Sequence, residues 1–468
     1  MIPITIFKGR KVAIFGLGRT GLATAAALKA GGAQPVLWDD GENGRAAAAE
    51  RSFTLADLNS ADWSEFAALV LAPGVPLTHP RPHWTVEKAN SAGVEIIGDT
   101  ELFCRQHRAD GSRSKIIAIT GTNGKSTTTA LAAHLVSASG RRVAMGGNIG
   151  TAVLALEPFA DDLTYVLEYS SYQIDLTPGL HADAACLLNI TPDHIDRHGT
   201  LEHYAAVKER IFDGLGDKGV AVVGVDDALS AAIAGRVAAK TRVQHISVRH
   251  TVETGIFLRD GALIEVENGE ERPAVSLDGI GSLRGVHNAQ NAAAAFALCH
   301  AIGLSREEIA AGLQTFPGLA HRMEQIAKIG RVLFVNDSKA TNADAAEKAL
   351  ASFGDIYWIA GGIAKEGGLS GLEPYFPKIR RAYFIGQAAD DFARAVGETL
   401  PHRISGTLDA AIHEAAADAA ASDTPEPVVL LSPACASFDQ FPNFEIRGDA
   451  FRACVEDLAA SKGAGHEA

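Results

Sequence analysis

An α/β fold in three domains is predicted, on three observations. Apolar runs of strand character alternate with Ala-rich helical patterns along all 468 residues. Two of those runs end in glycine turns suited to holding phosphate. The chain is too long for one hydrophobic core, so two to four domains are expected.

The first domain, expected over residues 1–106, is Rossmann-like. Strand residues 11–15 run into Gly16-Leu17-Gly18-Arg19-Thr20-Gly21, and a helix follows to Lys29. A second strand at 36–38 ends in Asp39 and Asp40. A Gly-x-Gly-x-x-Gly turn with an acid about 20 residues on is the dinucleotide fingerprint. Its glycines only permit a tight turn and close backbone approach, so any diphosphate ligand suits it, a nucleotide sugar included. Further strands fall at 69–71 and 94–97, and the polar run 106–115 reads as a linker.

The central domain, expected over 107–318, is P-loop ATPase-like. Its first strand, at 116–119, leads into Thr120-Gly121-Thr122-Asn123-Gly124-Lys125-Ser126-Thr127 and a helix to about Val136. Backbone N–H groups and the helix N-terminus favour phosphate, the lysine reaches the outer phosphates, and the serine hydroxyl suits Mg²⁺. The general pattern puts a glycine five residues before Gly124, where this chain has Ile119, so the loop is a shorter variant. Strands are expected at 142–145, 165–171, 184–190 and 220–223, a helix at 201–212, a small β-rich insertion at 241–285, and a long helix from 286 to about 302. The C-terminal domain, expected over 319–468, is Rossmann-like again, with strands at 332–336, 356–360, 382–385 and 428–431 and a frayed tail from Ser461.

Composition narrows the function. Hydrophobic residues at 47% and charged residues at 21% fit a soluble globular protein. A net charge of −14 argues against general nucleic-acid binding. Five cysteines without a CxxC pair argue for a reducing compartment. With neither a signal-peptide pattern nor an apolar run of about 18 residues, a cytoplasmic protein without a membrane span is expected.

Together the motifs resemble the Mur ligases of peptidoglycan synthesis and their folylpolyglutamate synthase relatives. The shared marks are residues 121–127, Leu167-Glu168-Tyr169-Ser170-Ser171, Asn189-Ile190-Thr191-Pro192-Asp193-His194, and His287-Asn288 with Asn291. Gly318-Leu319-Ala320-His321-Arg322, residues 336–342 and residues 431–441 are similar to the D-glutamate-adding branch. The resemblance implies an ATP-dependent ligation of D-glutamate to UDP-N-acetylmuramoyl-L-alanine through an acyl phosphate, and a monomer is expected.

Site residues follow from the same resemblance. It implies ATP binding by Gly121, Thr122, Asn123, Gly124, Lys125, Ser126 and Thr127, with Asn288, Asn291, Arg322 and Asp337. Lys125, His194 and Lys208 would be catalytic. Ser126, Glu168, His194 and Lys208 would hold two Mg²⁺ ions, the lysine as a CO₂-derived carbamate. The UDP substrate falls to Gly18, Arg19, Thr20, Asp39, Asp40, Asn148 and His194, and D-glutamate to Lys339, Thr341, Lys365, Ser437 and Phe444. One departure stands out: where the family has Thr-Arg to hold uracil, this chain has Asp40-Gly41.

From the residues alone, plainer readings stay open. Lys208 reads as a solvated helix lysine, Glu168 as a surface strand end, Asn288 and Asn291 as helix capping, and Lys365 as a solvated loop lysine. The glycine turn alone admits a dinucleotide-dependent oxidoreductase, and the phosphate loop alone a nucleotide switch protein. A sibling ligase adding another amino acid is a third alternative.

Overall fold

A computed structural model describes residues 1–365 and 367–463. The chain forms two compact units: Met1–Asp278 with Val286–Phe316, and Gly279–Gly285 with Pro317–Ala468.

The first unit carries two sheets. Four parallel strands run in the order Gln34–Trp38, Lys11–Phe15, Phe66–Leu71, Glu95–Ile97. In the nine-stranded sheet, Lys115–Thr120 lies inside, parallel to Ala182–Leu187 on one side and Leu163–Glu168 on the other. Ile116, Ile117, Ala118 and Ile119 are all buried. A continuous apolar run is what a parallel strand covered on both faces requires.

Several expectations are corrected here. The run 106–115 is not a free linker: the helix Asp99–Ala109 includes Gln106 and His107, both buried. Gln106 accepts the Thr5 N–H through Oε1 at 2.7 Å, so its polarity serves an internal bond rather than solvent. The stretch 241–285 is β-rich as expected, but its strands belong to the nine-stranded sheet rather than to a separate insertion. Arg242–Ser247, Gly255–Arg259, Ala262–Glu267 and Glu270–Ser276 extend the nine-stranded sheet beyond Leu215–Gly224, with Ala262–Glu267 antiparallel to both of its neighbours. The strands predicted to reach 171 and 190 stop at Glu168 and Leu187, which leaves the following residues free to form loops.

The second unit has six strands in the order Glu324–Ile329, Val332–Asn336, Val428–Leu431, Ile356–Gly361, Ile379–Ile385, His402–Gly406. All are parallel except the first, an antiparallel edge. Apolar clusters cover both faces. The terminal helix Phe444–Gly463 runs past Ser461; the rest of the expected frayed tail, 464–468, lies outside the described residues. Among the described residues, no helix is long and apolar enough to cross a membrane.

Candidate active site

The phosphate loop leaves the carboxyl end of Lys115–Thr120 and enters the helix Lys125–Ala138. Its glycines have different reasons to be glycine. Gly121 and Gly124 have φ of +154° and +85°. A Cβ on Gly124 would lie 2.3 Å from Asn291 Oδ1. Asn291 cannot yield easily: it is buried, accepts from Thr128 Oγ1 at 3.2 Å, and donates to Asn288 Oδ1 at 3.1 Å. Asn288 and Asn291, on the helix Val286–Ala301, thus form a polar floor under the loop. Asn189 clasps the loop from the side: its Oδ1 accepts the Asn123 N–H at 2.9 Å and its backbone carbonyl accepts the Thr122 N–H at 2.9 Å. Gly124→Ala combines a left-handed backbone with this clash and is expected to lower stability by about 1–2 kcal/mol and to weaken ATP binding. Thermal melts with and without ATP check it.

Beside the loop, register pairs Ile119 with Glu168. Glu168 is not a surface strand end; it is buried. Its Oε1 accepts from Asn148 Nδ2 at 2.7 Å, while its Oε2 is buried with no hydrogen-bond partner. A buried carboxylate oxygen without a donor suits a bound cation.

Lys208 corrects the solvated reading most clearly. It lies on the helix Leu201–Glu209 and is 1% exposed. Nζ donates to Thr120 Oγ1 at 3.2 Å and to the Gly121 carbonyl at 2.9 Å. Lys125 Nζ donates to that same carbonyl at 2.9 Å, and to the Thr122 carbonyl at 2.7 Å. Burial first, and the Lys125 charge second, hold the Lys208 amine well below the usual lysine range. A neutral amine is nucleophilic, which a charged surface lysine is not.

His194 is exposed and has φ of +54°, an uncommon backbone for a residue with a side chain. It precedes the short helix Ile195–His198. His198, which sequence reasoning passed over, is buried, stacks on Tyr172 and meets Ser171 Oγ at 2.9 Å. Burial pushes its imidazole down to about 4, so it stays neutral and structural at neutral pH.

At the first glycine turn, Gly16 (φ +93°) would put a Cβ 2.4 Å from Ala72 Cβ, and Gly21 one 2.0 Å from the Gly16 carbonyl oxygen. Gly18 meets nothing within 4 Å. Packing therefore accounts for two glycines, and the third leaves an open approach beside exposed Arg19 and half-buried Thr20. Asp39 turns inward, accepting the Leu17 N–H at 2.6 Å and the Gly41 N–H at 2.8 Å. Asp40 faces His83 Nε2 at 3.2 Å and Trp84 Nε1 at 3.4 Å. Arg45 was also passed over. Its Nη1 donates to the Asp39 and Asp40 carbonyls at 2.6 and 2.8 Å, and its guanidinium lies 5.0 Å from the centre of the Trp38 ring. An arginine therefore does stand at the end of the second strand, supplied by the helix Glu42–Glu50.

In the second unit, the predicted residues sit on loops at the carboxyl ends of parallel strands. Asp337 follows Val332–Asn336, is buried, and accepts from Met323 N at 3.1 Å and Ser432 Oγ at 2.8 Å. Burial raises its carboxyl to about 7. A raised acid holds its proton in the fold between about 4 and 7 and loses that contribution as pH rises through this window. Asp337→Asn is expected to flatten the fall in Tm over this window. Lys339 Nζ lies 5.7 Å from the centre of the Phe444 ring. Thr341 donates its N–H to the Lys339 carbonyl at 2.9 Å, Ser437 is buried, and Lys365 is exposed after Ile363–Ala364. Arg322 has a buried Nε with no partner. Among the described residues, eight non-glycine residues have positive φ, and His194, His321 and Ala434 lie within the predicted motifs, with Met323 beside one of them. Such strain clusters where function over-determines the backbone.

Residues 10–98 match the family described as Mur ligase MurD-like, N-terminal domain. Residues 119–299 match the Mur ligase middle domain, and 321–435 the Mur ligase, glutamate ligase domain. The UDP-N-acetylmuramoylalanine–D-glutamate ligase of Rhizobium meliloti (strain 1021) is 58% identical over 464 residues, 99% of each chain. The chain belongs to the Mur ligase family. The enzyme of the same name from Agrobacterium fabrum (strain C58 / ATCC 33970) is 57% identical over 98% of this chain and 97% of its own. Solved Mur ligases share the fold at low identity. The UDP-N-acetylmuramate-alanine ligase of Thermotoga maritima superposes with a TM-score of 0.56 at 16% identity, covering 96% of this chain and 99% of its own. A UDP-N-acetylmuramoyl-L-alanyl-D-glutamate–2,6-diaminopimelate ligase gives 0.57 at 19%, covering 96% and 93%. As a Mur ligase, the protein is an ATP-dependent amide-bond-forming enzyme. The oxidoreductase and switch-protein readings therefore fall away.

Proposed function

We propose that this Mur ligase joins D-glutamate to UDP-N-acetylmuramoyl-L-alanine in cytoplasmic peptidoglycan precursor synthesis, with ATP converted to ADP and phosphate. The observation that carries the reading is the 58% identity, over 99% of both chains, to a ligase named for that reaction.

The chemistry of the site supports it. The loop N–H groups and Lys125 hold the ATP phosphates and offset charge at the transferring group. Ser126, and Glu168 through its unpartnered oxygen, hold Mg²⁺. His194 and a carbamate on Lys208 would hold a second ion. Bound there, such ions would supply charge neutralisation at the phosphoryl oxygens. Burial and the nearby Lys125 charge disfavour the charged form of Lys208, and its free amine would add to CO₂ and lose one proton, converting a buried base into an anionic oxygen ligand.

A carboxylate oxygen of the muramoyl-L-alanine attacks the γ-phosphorus, and ADP leaves. The D-glutamate amine attacks the acyl carbon, loses a proton, and phosphate leaves. The open glycine turn at Gly18, with Arg19 and Thr20, receives the diphosphate. Asn148 and His194 position the acceptor, and Arg45 replaces the missing family arginine near uracil. Lys339, Thr341, Lys365, Ser437 and Phe444 receive D-glutamate, with Arg322, Asp337, Asn288 and Asn291 on ATP.

ADP release with UDP-N-acetylmuramoyl-L-alanine tests the reading against D-glutamate, L-glutamate, L-alanine and meso-diaminopimelate in turn. Release with D-glutamate alone is expected. Equal release with all four, or none with D-glutamate, overturns the assignment.

A further inference from the structure

Asp409, His413 and Cys454 meet on the outer face of the second unit, and the ligation uses none of them. Asp409 and His413 stand four residues apart on the helix Leu408–Ala420, so they share a face. Cys454 comes from the terminal helix Phe444–Gly463. Those two helices cover the same apolar cluster, with Ile412 and Ala416 from one and Phe451 and Val455 from the other. That packing aims the thiol at the Asp-His pair.

Cys454 Sγ lies 3.7 Å from Asp409 Oδ1 and 3.9 Å from His413 Nδ1, and those two atoms are 3.8 Å apart. The three atoms form a nearly equilateral triangle. The point equidistant from its corners in their plane lies about 2.2 Å from each, and a tetrahedral centre just above it about 2.3 Å, close to the zinc–sulfur, zinc–nitrogen and zinc–oxygen bond lengths. Asp457, one turn further along the terminal helix, adds negative potential at the thiol. Magnesium, which asks for near-octahedral oxygen ligands, is poorly served by one carboxylate, one imidazole and one thiol.

We propose that Asp409, His413 and Cys454 form a three-ligand site for a thiophilic divalent cation of the zinc type, which pins the terminal helix to Leu408–Ala420. On binding, Cys454 releases its proton to solvent and coordinates as thiolate. His413 Nδ1, which faces the Asp409 carbonyl at 2.9 Å, exchanges that bond for the metal. Solvent completes the tetrahedron.

Cys104, Cys186, Cys299 and Cys435 are buried, so Cys454 is the accessible thiol of the five. The test uses the full-length enzyme. Native protein is expected to show one thiol reactive to a disulfide reagent, protected by Zn²⁺ and unaffected by Mg²⁺. Co²⁺ is expected to give a thiolate-to-metal charge-transfer band at one equivalent, lost in Cys454→Ser and in His413→Ala, with ligase activity retained in both variants. Saturating Zn²⁺ is expected to raise Tm by about 2 °C or more in the parent enzyme and not in Cys454→Ser. A missing Co²⁺ band, a band that survives Cys454→Ser, or equal protection by Mg²⁺ overturns the proposal.

Discussion

Lys208→Met is expected to abolish ligation and to leave the protein at least as stable. The stability side follows from burial. The amine is enclosed beside Lys125, and its neutral form is the one the fold favours. Removing it orphans nothing: the Gly121 carbonyl keeps Lys125 Nζ, and Thr120 Oγ1 keeps its own bond to the Tyr169 carbonyl at 2.9 Å. Exchanging a buried polar group for a hydrophobic one of similar volume is neutral or stabilising, here by about 1 kcal/mol. The pH dependence has a definite sign. Unfolded Lys208 binds a proton up to its usual 10.5, whereas the folded amine gives it up at lower pH. The parent therefore gains stability as pH rises toward 10.5, and the methionine variant lacks this contribution.

The activity side rests on the carbamate. Loss of that anionic ligand is expected to lower kcat by about 10²–10³-fold or more. In Lys208→Ala, where a space is left, acetate is expected to restore part of the rate by standing in for the carbamate oxygens. An alanine variant that stays active, or one that no short carboxylate revives, removes the main support for the modification.

Glu168→Gln carries the second large effect. The amide keeps an oxygen for Asn148 but removes the charge and the unpartnered carboxylate oxygen. Turnover is expected to fall about 10²–10³-fold, with a higher Mg²⁺ concentration needed for half-maximal rate. The fold is expected to hold or gain slightly, because a buried charge without a donor is lost. Rates measured across a Mg²⁺ titration decide the matter. Parent-like turnover with an unchanged Mg²⁺ requirement sinks the ligand role.

Legibility from sequence followed the physics of each element. Interior parallel strands such as Lys115–Thr120 were plain, because both faces are apolar. The edge strands Glu324–Ile329 and His402–Gly406 were missed, because none of their residues is fully buried and polar side chains break the apolar run. Gln106 was misread because polarity does not tell an internal hydrogen bond from exposure. The glycine turns were legible as motifs. Which glycine packs and which leaves room for a ligand was not, since that depends on Ala72, Asn291 and other residues remote in sequence. The burial of Lys208 and the placement of Arg45 were hidden for the same reason: each environment is assembled from distant segments.

The polar floor under the phosphate loop also sets an order of events on the ribosome. Thr128 and Asn291 are 163 residues apart, and the Asn189–Gln290 pair that flanks them spans 101. A nascent chain that has emerged only as far as Asp278 has the loop, its strand and its neighbouring strands, yet lacks the helix Val286–Ala301 that underpins them. Contacts this remote in sequence close late. The polar floor under the phosphate loop therefore closes only once the helix Val286–Ala301 has been made, after most of the first unit.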